Sequence, residues 1–221
     1  MYNEGVSTVG FRSILPFLQN AKNLVKLDVG CNNQMESEGF NIMFRGLHGS
    51  PIKKLNCGCC GVEAIDIDNE HAPKHLEELY LDANEISADG CRELSKLLQG
   101  VDATLKILDL DENKIDDEAV AILVGALQNN TSLTTLKLTN NNGEQDSGES
   151  WRTGITNLGK MLLLKLVNDI SSTKAILQSN HTLQHIYLDN KGIDPVTRER
   201  IDIDQRGKEI HKHLKMSAVQ R

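Results

Sequence analysis

The chain has 221 residues, 31 of them Asp or Glu against 24 Lys or Arg, for a formal net charge of −7. Such a field disfavours nucleic acid, whose phosphates are bound mainly through Lys and Arg. Nor does any window reach the ~18–20 apolar residues that span a bilayer; the nearest, Met161 to Ile170, is broken by Lys165, Asn168 and Asp169.

One phrase, L-x-x-L-x-L-x-x-N, recurs along the chain with small variations. Its copies are Leu24-Leu27-Val29-Asn32, Ile52-Leu55-Cys57-Cys60, Leu76-Leu79-Leu81-Asn84, Leu105-Leu108-Leu110-Asn113, Leu133-Leu136-Leu138-Asn141 and Leu183-Ile186-Leu188-Lys191. Their first positions are separated by 28, 24, 29, 28 and 50 residues. The alternating leucines predict strands at about 25–29, 53–57, 77–81, 106–110, 134–138 and 184–188, parallel and adjacent in that order.

The chain opens part-way through this pattern. Asn3 aligns with Asn32 and Asn84, and Val6, Gly10, Ile14 and Leu18 follow as a helical stripe, so the first unit is expected to be truncated. Later units show the same stripe: Ile86, Gly90, Leu94, Leu98, and then Ile115, Ala119, Leu123, Leu127. Residues spaced by four share one face of a helix, and Ser87 and Asp116 or Asp117 suit its N-cap. Each unit is thus expected to be a strand, a turn and a helix. The polar run Asn142 to Ser150 departs from the repeat, so 142–159 is expected to be an inserted loop, with Trp151 as its packing anchor. At the far end Asp194 and Pro195 predict a capping helix over about 195–215, in a segment, 191–221, whose net charge is +3.

A repeat of this kind cannot bury its apolar face alone, so neighbours stack. The expected fold is α/β: one domain over 1–221, of about seven units, forming a right-handed leucine-rich repeat solenoid, a horseshoe with a concave parallel sheet and convex helices. On these residues the chain resembles the ribonuclease-inhibitor-like leucine-rich repeat proteins, a class that includes the receptor end of NOD-like sensors and the Ran GTPase-activating protein. The runs Asp169-Ile170-Ser171-Ser172 and Ser179-Asn180-His181-Thr182-Leu183 also resemble segments common in protist and algal members. The resemblance implies a binding scaffold, since such folds carry different functions on different surfaces.

Side chains at the third, fifth, seventh and eighth positions of each phrase are expected on the concave face or its rim. In the third and fourth phrases these are Glu78, Tyr80, Asp82 and Ala83, then Ile107, Asp109, Asp111 and Glu112, with five acids and no base. Strands ~4.8 Å apart make Asp82 a neighbour of Asp111, and Tyr80 a neighbour of Asp109. A solvated acidic face is one reading. The functional reading is a site for a basic protein or peptide, formed by Glu78, Tyr80, Asp82, Ile107, Asp109, Asp111, Glu112 and Tyr187, with Tyr80, Ile107 and Tyr187 as anchors. Neither a nucleic-acid nor a membrane partner, nor a small-molecule substrate, is expected.

Other chemical motifs fall short of their requirements. Gly154 to Gly159-Lys160 is close to a phosphate-binding loop, but Met161 stands where a hydroxyl should hold magnesium. Cys57, Cys59, Cys60, His71 and His75 are zinc-ligand types, but Cys59 and His75 should lie roughly 20 Å apart at ~3.3 Å per residue. Asp109, Asp111 and Asn113 begin like a calcium loop, yet Lys114 replaces its glycine and Val120 its bidentate Glu. With no nucleophile elbow and no spaced catalytic carboxylates, a non-enzymatic protein with no cofactor and no metal is expected. Five cysteines without a paired framework suit a reducing, cytoplasmic compartment, the nucleus included. Asn129, Asn130 and Asn180 form N-x-[ST] sequons at helix-to-strand turns, where Asn is expected on other grounds. The runner-up function is regulation of a small GTPase. The resemblance implies an arginine in an early rim loop, whereas Arg12 and Arg45 fall on predicted helices. A third reading makes the array the sensor of a longer signalling protein.

Overall fold

The computed structural model describes residues 5–99, 102–141, 154–169, 172 and 179–188, and the backbone of 201–202. Six strands run parallel in one sheet: β1 (Lys26–Asp28), β2 (Lys54–Asn56), β3 (Glu78–Tyr80), β4 (Ile107–Asp109), β5 (Thr135–Lys137) and β6 (His185–Tyr187). All six lie within one residue of the expected spans and pair in sequence order. The register places Leu27, Leu55, Leu79, Leu108, Leu136 and Ile186 side by side. From Leu55 onward this row is at most 1% exposed, a continuous spine of the core.

Helices α1 (Thr8–Asn20), α2 (Glu36–Gly46), α3 (Ala88–Leu98), α4 (Asp117–Leu127) and α5 (Asn157–Val167) occupy the other face of the core. The expected stripes of α3 and α4 are buried: Ile86, Leu94, Leu98, Ile115, Ala119, Leu123 and Leu127 are each 1% exposed or less. Asp116 is the N-cap of α4, accepting the Ala119 N–H at 2.9 Å. Ser87 holds the N-cap position of α3 without a side-chain hydrogen bond.

Three expectations need correction. First, β2 and β3 are not joined by a helix. The 24-residue spacing between their phrases leaves no room for one, and residues 61–75 run as turns and extended chain. This segment bridges α2 and α3 through their side chains: Ser37 Oγ accepts the Glu63 and Ala64 N–H groups, Asn41 Oδ1 that of Asp66, and Glu93 Oε2 that of Ile67. Buried Ile65 and Ile67 mark its inward side. Their strand-like alternation with Asp66 and Asp68 was the available sequence signal.

Second, α1 is rotated from the expected stripe. Leu18 of the expected stripe does pack on the core, but Phe11 is buried and Leu15 half-buried in place of Val6 and Ile14, which are exposed. Leu15 fits the notch at Gly46 of α2, where a Cβ would come within 2.0 Å of Leu15 Cδ1. Thr8 Oγ1, which donates to Met35 O at 2.9 Å, and the Arg12–Glu38 pair hold the two helices together beside this notch.

Third, Ile201–Asp202 is a strand, β7, antiparallel to β6, within the span expected to be a capping helix. β-Branched residues alternating at 201 and 203 suit an extended edge, and β6 offers unpaired backbone groups there. The rest of that helix, Asn3, residues 142–153 with Trp151, and Asp189 to Lys191 lie outside the described residues. No described helix is long and apolar enough to cross a membrane.

Candidate protein-binding face

The face is built on the turn that follows each strand. At the ninth position of the phrase, Asn84, Asn113 and Asn141 are buried. Each amide donates to carbonyls of its own turn and of the preceding repeat, as Asn113 Nδ2 does to Asp111 O at 3.0 Å and Leu81 O at 2.8 Å. Each Oδ1 accepts backbone N–H groups of the preceding repeat, as Asn141 does from Asn113 and Ile115. Asn32, half-buried, makes the first rung and accepts the Val6 N–H at 2.7 Å. Cys60 fills the slot in the second phrase. Its thiol meets Val29 O at 3.2 Å and Gly58 O at 3.4 Å, so it covers part of the amide's work.

A second ladder lies at the helix-to-strand turns. Asn130 donates to Leu98 O and accepts from Ser132 and Leu133; Asn180 donates to Leu127 O and Asn130 O and accepts from Thr182 and Leu183. Of the three sequon asparagines, Asn130 and Asn180 are structural, 5% and 4% exposed, whereas Asn129 is exposed. Together the ladders hold the strand ends in register, which fixes the spacing of side chains on the concave face.

On that face Tyr80 and Asp109 are neighbours, as the spacing implied. The charge arrangement differs from the expected acidic field, because lysines from flanking repeats reach in. Lys54 Nζ contacts Glu78 Oε2 at 2.9 Å and the Tyr80 hydroxyl at 3.3 Å, and lies 4.3 Å from the Tyr80 ring centroid. The Tyr80 hydroxyl itself donates to Glu78 Oε2 at 2.9 Å. Lys137 Nζ binds Asp109 Oδ2 at 2.6 Å and lies 5.7 Å from the same ring. Hydrogen bonds to Glu78 and then Tyr80 raise the Lys54 pKa; burial is the largest single effect on Lys137 and pulls it down, but its bond to Asp109 together with the charges of Asp109, Asp111 and Tyr80 makes the net shift upward.

Two of the five acids are therefore neutralised internally. Glu78 is held below the usual carboxylate range by Lys54. Asp109 is 4% exposed and salt-bridged rather than solvated. The other three form a row at the C-terminal ends of the strands. Glu112 is exposed and accepts from Asn140 Nδ2 at 3.2 Å. Asp111 accepts the Thr139 N–H at 2.7 Å, and Asp82 lies over Gly58, where a Cβ would meet its carboxylate at 2.7 Å. Burial first, then the nearby Asp109 charge, pushes Asp82 above the ordinary carboxylate value; Asp111 is raised by burial despite its bonds to Thr139. Ile107 and Tyr187 are half-buried on the same sheet, separated from each other by β5. Lys54 and Lys137 fall at concave positions of phrases two and five, but their pairing with the acids was missed because the acids were read within phrases three and four.

The motifs set aside are also placed. Thr156 is the N-cap of α5, and Asp117 of α4 accepts the Thr156 N–H at 2.9 Å and the Gly159 N–H at 3.0 Å. A carboxylate of the chain thus sits on the amides that a phosphate would need. Cys57 is fully buried in a leucine slot, and Asn113 is turned inward. Arg12 pairs with Glu38 and Arg45 with Asp66, both pairs starting from helices and not from rim loops.

A leucine-rich repeat family model matches residues 72–95 and 101–121. Ribonuclease inhibitor from Sus scrofa is 26% identical over 145 residues. The chain is a leucine-rich repeat solenoid that resembles ribonuclease inhibitor. The aligned part is 62% of this chain but 31% of that relative, so the chain spans about a third of its length. The structure titled leiomodin-1 actin-binding site 2 superposes with a TM-score of 0.52 at 13% identity, covering 96% of this chain and 98% of that one. At that identity the likeness is one of fold.

Proposed function

We propose that this leucine-rich repeat protein is a non-enzymatic interaction scaffold that receives a basic segment of a protein partner on its concave face. The observation that carries this reading is the placement of Tyr80. Its ring is fixed by the Glu78 and Lys54 contacts beside the row Asp82, Asp111 and Glu112. A pre-positioned aromatic loses little entropy on binding, and uncompensated carboxylates next to it favour Lys or Arg. The likeness to ribonuclease inhibitor, a protein named for binding another protein, supports a protein partner of some kind.

The test uses the intact chain and an Asp82→Asn, Glu112→Gln variant, which removes two charges while leaving the Asp109–Lys137 pair in place. Binding of a fluorescent oligolysine peptide and capture of proteins from native lysate are compared at low and raised salt. The expected result is weaker binding by the variant, a loss of capture with salt, and faster dissociation from Tyr80→Ala. Identical capture by both proteins, with unchanged thermal melts, would leave these carboxylates as a solvated face.

A further inference from the structure

We propose that Cys31 and Cys59 form a redox-active dithiol, a modification site that a low-molecular-weight disulfide of the glutathione class converts into a covalent link between the first two repeats. The pair is a product of the repeat register. β1 and β2 pair Asp28 with Asn56, and each cysteine stands three residues beyond, at the eighth position of its phrase. The chains stay alongside through the turn: the Cys31 N–H donates to Gly58 O at 2.8 Å, as the Cys59 N–H does to Asp82 O. Both residues take the left-handed conformation, with φ of 60° and 55°, so their side chains leave the backbone in equivalent directions. Neighbouring strands ~4.8 Å apart fall within the ~4.4–6.8 Å between Cα atoms that a disulfide bridges.

The strand register and the matching left-handed turns bring both thiols to the same rim, and Cys59 Sγ lies 3.4 Å from Asn33 Oδ1. Cys31 is exposed and Cys59 half-buried, whereas the other three cysteines are buried. Cys57 fills the core, burial pushes the Cys91 thiol up to about 12, and the Cys60 sulfur is engaged by backbone groups. Accessibility and a partner thiol therefore coincide at one pair.

The exchange balances without another reactant. The Cys31 thiolate attacks one sulfur of the oxidised reagent and expels one thiolate. Cys59 gives its proton to solvent and attacks the Cys31 sulfur of the mixed disulfide, expelling the second thiolate. Two electrons pass from the protein pair to the reagent, which leaves as two thiols. The link would close the rim beside Asp28 and Asn56. In a solenoid each repeat is held through its neighbours, so the link should suppress separation of β1 from β2.

The experiment incubates the full chain in its native state with stepped ratios of oxidised to reduced glutathione, blocks free thiols with an alkylating agent, and maps the peptides by mass. The expected product is a Cys31–Cys59 linked pair lacking two hydrogens, formed equally by Cys60→Ser. Cys59→Ser should instead retain a glutathionyl adduct on Cys31. Amide exchange of residues 26–31 should slow several-fold in the oxidised protein. A persistent adduct on wild-type Cys31, a Cys59–Cys60 link, loss of the link in a folded Cys60→Ser, or full alkylation at every ratio would overturn the proposal.

Discussion

Asn113 shows how much of this fold rests on one side chain. It is 6% exposed, and its amide holds Leu81 O, Asp111 O and the Ile86 N–H across two repeats. Asn113→Leu would keep the volume but strand these groups away from water. At roughly 1–3 kcal/mol for each unsatisfied group, a loss of about 3 kcal/mol or more is expected. A urea titration reads it directly, and an unchanged midpoint would remove Asn113 from the ladder. The eighth position makes the opposite point. Cys31, Cys59, Ala83, Glu112 and Asn140 all have φ between 52° and 60°, a region that costs an L-residue ~1–2 kcal/mol. Ala83→Gly relieves that strain and returns part of the gain as unfolded-state entropy. A net stabilisation of about 0.5–1 kcal/mol is expected in the same titration.

At the scale of elements, the strands were legible because Leu and Asn recur at fixed positions, and the helices of repeats near 28 residues because their stripes keep a four-residue spacing. What escaped was set by contacts between repeats. Gly46 of α2 leaves room for Leu15 of α1, and Asp117 of α4 secures the start of α5 from 39 residues away. The absent helix between β2 and β3 was legible in the short spacing, had each repeat been judged by its own length. Across β2, β3 and β4 another inter-repeat device appears. Glu77 takes Lys53 at 2.8 Å and Lys106 at 2.5 Å, and the two lysines, Lys106 first, lower its pKa from 4.5 to about 2. A depressed folded-state pKa gives stability that is present above the unfolded value and lost as pH falls through the folded one. Urea midpoints of the wild type and Glu77→Gln should therefore differ near neutral pH and converge as pH falls from about 5 towards about 2. Parallel pH curves would mean that the two lysines contribute nothing through Glu77.

For the whole molecule, the candidate site was legible as a set of positions but not as a charge pattern. Glu78, Tyr80, Asp82, Asp109 and Asp111 are assembled on consecutive strands and their turns, yet whether an acid faces solvent or a lysine depends on the neighbouring repeat. The same distinction gives the binding face a pH signature. Asp82 and Asp111 have raised pKa values because burial and adjacent carboxylates disfavour their charged forms. Their ionisation opposes folding slightly as pH rises through the unfolded value and up to the folded one, the reverse of Glu77. A cationic partner lowers those pKa values again by supplying the missing counter-charge, so by linkage binding takes up ionised acid and releases protons. Affinity for an oligolysine peptide should thus grow with pH through a range above that of an ordinary carboxylate, then level off. The Asp82→Asn, Glu112→Gln variant should show lower affinity and a shallower rise. Titration calorimetry in two buffers of different ionisation enthalpy would detect the released protons. Binding without proton release, or with a pH midpoint at the ordinary Asp value, would place the basic segment away from Asp82 and Asp111.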